Sequence, residues 1–198
     1  MPKIYLSDFV DVVSKAGSPK ATKVRSMKNR APYSPATDFY KPLRDGLVEL
    51  HREGWAKSAL STATHTQDGK KVEIYKALTD GYRKWWGKKT LEWFTPPSEI
   101  YTAHGVEVVV NPNLGLEVNG VPHVIKLHLK AEQLSKTRAD LICGLMNTAL
   151  GTKVPDGAVI AVLDVRNSKL FAAGSGPDAL TAMIDAELAY IADLWPKV

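Results

Sequence analysis

The feature that most constrains this chain is the dipeptide Asn119-Gly120, set between two segments of alternating apolar and polar residues, 106–118 and 121–130. Both central residues of a two-residue hairpin turn take positive φ, which Asn and Gly tolerate best, so the pair predicts a hairpin and fixes its register. Val118 then faces Val121, Leu116 faces His123, Leu114 faces Ile125 and Asn113 faces Lys126. If the first strand continues through Pro112, Asn111 faces His128 and Val109 faces Lys130. Side chains alternate across a strand, and a slip of one residue would invert every assignment. Leu114, Leu116, Val118, Val121, Ile125, Leu127 and Leu129 therefore make an apolar face, while Asn111, Asn113, Glu117, Lys126, His128 and Lys130 gather on the other. The polar face is the candidate site. Its lysines are long enough to reach a phosphate, and a neutral His128 between them has the chemistry of a base. The plainer alternative is the wet side of a half-exposed hairpin.

A length of 198 residues suits one domain with an added lobe, and 44% hydrophobic with 24% charged residues excludes a chain disordered throughout. The single cysteine, Cys143, lies in the apolar run 141–150. That excludes a disulfide framework and a cysteine zinc site, and it implies a reducing compartment and an inert thiol. The histidines lack the spacing of a metal-binding helix. No apolar run approaches the roughly 18 residues of a membrane span, and acids interrupt the N-terminal segment where a signal peptide needs an apolar stretch. The expectation is a cytoplasmic protein with no membrane partner.

Charge is unevenly spread. Residues 1–97 hold 18 Lys and Arg against 10 Asp and Glu, a net of +8, whereas residues 98–198 hold 8 against 11, a net of −3. Between Asp11 and Asp38 the chain has Lys15, Lys20, Lys23, Arg25, Lys28 and Arg30 and no acid. Lys20, Lys23, Arg25, Lys28 and Arg30 make a candidate nucleic-acid-binding arm, because such a stretch sets up a positive field suited to phosphates.

Periodicity outlines the remainder. Leu6, Phe9, Val10 and Val13 predict a first helix capped by Ser7, and residues 18–38, rich in Pro, Ser and bases, predict an irregular arm. Leu43, Leu47 and Leu50 mark a second helix ending at Gly54. Ile74, Leu78, Tyr82 and Trp85 mark a third within 70–89, with Trp86 off the stripe and available for an exposed role. A strand at 99–103, the hairpin, a helix at 135–150, strands at 158–165 and 169–173, and a helix at 178–195 with Ser175 and Asp178 at its start complete the chain. Residues 1–69 read as a basic helical extension and residues 70–198 as a mixed α/β core.

From residue 70 the order of helix, three strands, helix and strand resembles the αβββαβ core of the PD-(D/E)XK, or restriction-endonuclease-like, superfamily. In that family a carboxylate begins the second core strand, an acidic residue and a lysine two positions later sit on the third, and a helical glutamate often completes the site. The resemblance places Asn113 where the metal-binding aspartate stands, and His128 where the glutamate ahead of Lys130 stands. Lys126 or Lys130 takes the place of the family lysine, and Glu73 that of the helical glutamate. It implies a nucleic-acid-associated protein whose nuclease site is degenerate and binds without cleaving. One alternative is an active nuclease that holds Mg²⁺ through Glu107 or Glu117. Another is a non-catalytic module whose basic arm meets an acidic protein.

Overall fold

The structure is a computed structural model describing residues 1–174 and 177–198, with the side chains of residues 36 and 177–179 left aside. Ser175, half of the expected N-terminal box of the last helix, lies outside the described residues, as does the side chain of Asp178.

The chain opens with a short strand, β1 (Lys3–Tyr5), and turns directly into α1 (Leu6–Val13). Tyr5 is the N-cap and Ser7 lies inside the helix, where Asp8 accepts the Tyr5 N–H at 3.4 Å. The segment expected to be irregular instead forms α2 (Gly17–Lys28), entered through Gly17 at φ 55°. Only Val24 and Met27 of this helix are buried, so its apolar face is too thin to register as a sequence period. Then come α3 (Lys41–Arg52), the single turn α4 (Leu60–Ala63) and α5 (Gly69–Trp86), the last capped by the Asp68 side chain on the Lys70 N–H at 3.0 Å.

Strands follow: β2 (Leu91–Phe94), β3 (Glu99–Ala103), β4 (Val106–Val110), β5 (Leu114–Val118) and β6 (Val121–His128). The crossover helix α6 (Lys136–Leu150), capped by Ser135, leads to β7 (Val159–Asp164), β8 (Lys169–Ala172) and α7 (Pro177–Leu194). The fold is mixed α/β, with two mixed sheets in the orders β1-β4-β3 and β2-β5-β6-β7-β8.

The Asn119-Gly120 turn forms with φ of 51° and 82°, and β5 and β6 pair in the expected register, Val118 with Val121, Leu116 with His123 and Leu114 with Ile125. The first arm of the hairpin does not run on. Pro112 has no N–H to give a ladder, and across residues 111–113 the chain passes from one sheet to the other. Val109 therefore pairs with Ile100 and Tyr5, not Lys130, and Asn111 lies off the ladder that joins His128 to Asp164.

Helices cover both faces of the five-stranded sheet. Leu114, Leu116, Ile125, Leu127 and Leu129 pack with α3 and α5, while Val124, Ile160 and Val162 pack with α1, α6 and α7. Val121, at the turn, is exposed. Trp86 is buried, contrary to the stripe, because His51 of α3 lies against its ring at 4.8 Å and its indole N–H donates to the Lys89 carbonyl at 3.1 Å. Residues 1–69 contribute to both cores, with β1 extending the smaller sheet and Leu43, Leu47 and Leu50 filling the α5 side. Among the described residues no helix is long and apolar enough to cross a membrane.

Candidate functional site

The break at Asn111-Pro112-Asn113 builds the site. Asn113 continues the ladder by other means: its N–H donates to the Ile125 carbonyl at 2.8 Å, and its side-chain Oδ1 accepts the Leu127 N–H at 2.9 Å. Asn111 folds back over β6 and receives Lys126 Nζ on both its carbonyl oxygen, at 2.7 Å, and its Oδ1, at 2.9 Å. The end of β6 is held in turn by Asp164, buried on β7, whose carboxylate accepts the Leu134 N–H at 3.0 Å and the Asn167 side chain at 2.9 Å. His128 donates from Nε2 to the Glu132 carbonyl at 2.7 Å.

These residues line a cleft of about 740 Å³ between the end of β6, the N-terminal segment and the start of α3. Asn111, Asn113, Lys126, His128 and Lys130, which alternation placed on one face, all reach it. Glu117 does not. It is exposed near the turn, opposite Pro122 and Glu92. Glu107 sits in the smaller sheet beside Lys3, and Glu73 is exposed on α5.

Distant parts of the chain supply the groups that periodicity missed. Asp8 and Asp11 come from α1, Arg44 from α3 and Arg138 from α6. Asp11 is a hub, accepting Lys130 Nζ at 2.9 Å, Lys23 at 3.1 Å and Arg138 at 3.0 Å. Burial pushes its carboxyl up, but the hydrogen bonds and charges of Lys130 and Lys23 outweigh burial and hold it below the usual carboxylate range. Asp8 takes both guanidinium nitrogens of Arg30, at 2.6 and 3.0 Å. Asp38 accepts Arg44 at 2.8 Å and the Tyr33 hydroxyl at 3.1 Å. No local pattern marks these residues, because only the packing of α1, α3 and α6 around β6 brings them together.

Six basic residues, Lys3, Arg30, Arg44, Lys126, Lys130 and Arg138, line the cleft against three acidic ones, Asp8, Asp11 and Asp38, a formal excess of +3. Burial, and then the like charge of Arg44, push the Lys126 ammonium down to about 8. Arg138 carries a further sign of unmet demand, since its buried Nε has no acceptor among the described residues. The cleft favours an anion.

The expected arm is largely committed elsewhere. Lys20 pairs with Glu187 at 2.5 Å, Lys23 with Asp11, Arg30 with Asp8, and Lys28 donates to the Val198 carbonyl at 2.6 Å. Arg25 alone of the five is exposed and without such a partner among the described residues. Cys143 is buried, its thiol pushed up to about 12, chiefly by burial. The sequence matches no protein-family model and no curated protein.

Proposed function

We propose that the protein is nucleic-acid-associated, with a restriction-endonuclease-like core whose site binds a phosphate-bearing ligand without cutting it. One observation carries this reading: a positively charged cleft is lined by Asn113 and His128, the residues that the resemblance sets where that superfamily holds carboxylates. The element order supports it. The strand expected first in that order, 99–103, lies in the smaller sheet as β3, and β2 takes its place, so that α5, β2, β5, β6, α6 and β7 follow the sequence αβββαβ with β3 and β4 inserted after β2.

Mg²⁺ is the ion the superfamily implies, and the residues present do not fit it. A hard, strongly hydrated ion needs oxygen ligands with carboxylates among them. Here the Asn113 oxygen is taken by the Leu127 N–H, the His128 ring faces a carbonyl, and the Lys126 ammonium lines the same cleft. The active-nuclease alternative through Glu107 or Glu117 gains nothing from the geometry, since neither lines the cleft. A module reading that rests on a free basic arm is weakened by the internal pairing of Lys20, Lys23 and Arg30.

Incubation with plasmid, linear duplex and RNA in Mg²⁺ or Mn²⁺ tests the proposal. Binding without cleavage above background is the expected result. The double variant Asn113→Asp with His128→Glu restores the family pattern ahead of Lys130 and is the form in which metal-dependent cutting is expected. Robust cleavage by the unmodified protein would overturn the proposal.

A further inference from the structure

Every basic side chain lining the cleft has a carboxylate partner except Lys126. Lys3 pairs with Glu107, Arg30 with Asp8, Arg44 with Asp38, and both Lys130 and Arg138 with Asp11. Lys126 donates two of its three N–H bonds to neutral oxygens of Asn111, and the third has no acceptor among the described residues. The charge acting on it is that of Arg44, of the same sign. Lys126 and Arg44 line one cleft with Asp38 the one carboxylate bonded to either, and that leaves a net positive charge for an anion to meet. We propose that the missing counter-anion is a terminal phosphomonoester, carried by a mononucleotide or by the end of a nucleic-acid strand and seated between Lys126 Nζ and the Arg44 guanidinium. The inference rests on the nucleic-acid reading of the cleft and names the group it takes.

Charge, depth and size each select a terminal phosphate over an internal one. A phosphomonoester carries close to two negative charges near neutral pH and so offsets more of the cleft's formal excess of +3 than a phosphodiester, which carries one. Lys126 is recessed, while Arg30 and Tyr33 at the mouth are exposed. A strand that continues in both directions must leave the cleft twice to touch such a group, and a strand end enters once. Asp8 and Asp11, which line the cleft from α1, disfavour a second phosphate beside the first. A volume of about 740 Å³ holds a nucleotide-sized group. Arg44 has donors to spare beyond its bond to Asp38, and a guanidinium presents them in a plane suited to phosphate oxygens.

Fluorescence anisotropy on the full chain tests this with three oligonucleotides of one sequence, bearing a 5′-phosphate, a 3′-phosphate or hydroxyls at both ends, and with AMP and inorganic phosphate as competitors. One phosphorylated end is expected to bind at least about tenfold tighter than the hydroxyl form. Lys126→Met should erase that preference and Arg44→Gln should reduce it, both with melting curves that show a folded protein. If Lys126→Met fails to fold, Arg44→Gln at the rim carries the test alone. Equal, salt-sensitive binding of all three oligonucleotides would overturn the terminal-phosphate site and leave the nucleic-acid reading standing. Binding of AMP and phosphate without any oligonucleotide would support the phosphate site and overturn the nucleic-acid reading. No binding of any probe, or an undiminished preference in folded Lys126→Met, would overturn the inference.

Discussion

Lys126 is held charged in a place that disfavours charge, and this has a signature in stability. Its folded pKa, about 8, lies below the ordinary lysine value, so the folded chain sheds this proton earlier than the unfolded chain as pH rises. The associated stability is full above the unfolded pKa and lost as pH falls through about 8. We predict that Lys126→Met gains up to about 3 kcal/mol over the wild type near pH 7, and that the difference shrinks between pH 8 and about 10.5 in urea melts. A loss of stability in the variant at pH 7 would contradict this account of the lysine. His51 behaves likewise at lower pH. Buried against Tyr82 at 2.7 Å, it is pushed down to about 4 by burial, so its contribution is complete above the unfolded value and lost as pH falls through 4. His51→Gln should flatten the fall in stability between about pH 6.5 and 4, which melts at stepped pH would read. Alternation alone singled out Lys126. Nothing near it in the sequence points to Arg44, because a charged neighbour from another element is chosen by packing and not by spacing.

At the level of elements, what was legible was whatever a short window contains. The Asn119-Gly120 turn, the register of β5 on β6 and the helices α3, α5 and α6 follow from local patterns, and the structure keeps them. The parting of β4 from β5 did not show, because apolar residues recur at every second position from Val106 to Val118 save Pro112, which alone marks the change of sheet. Likewise β1, three residues pairing in parallel with β4, is too short for a period. Trp86 was misplaced since a helical stripe drawn from α5 alone omits His51, which comes from another helix and widens the buried face. The docking of α5 rests on a close approach that also lacks a local sign. A Cβ on Gly81 would strike the Val165 carbonyl, and the Gly81 carbonyl accepts the Ser168 hydroxyl at 2.8 Å. Gly81→Ala is therefore expected to destabilise by about 3 kcal/mol, more than the effect of Gly87→Ala past the helix end. Equal midpoints for the two variants in chemical denaturation would refute this close packing.

Taken as a whole, the molecule folds its charge asymmetry inward. The bases of the first half were expected to form a free arm, yet Lys20, Lys23 and Arg30 close on acids of α1 and α7. Replacing these three with alanine should lower the melting temperature as well as weaken any binding, whereas Arg25→Ala should leave the melt unchanged. What remains for a ligand is the excess positive charge of one cleft, gathered around β6 by α1, α3 and α6. The most direct measurement of the central claim is a gel-shift titration of the full chain against a 5′-phosphorylated strand in Mg²⁺, run at rising salt, with the strand recovered and sized afterwards. A complex that forms at low salt, dissociates as salt rises and returns the strand intact is the predicted result. Absence of a complex at the lowest salt, or shortened strands from the unmodified protein, would contradict it.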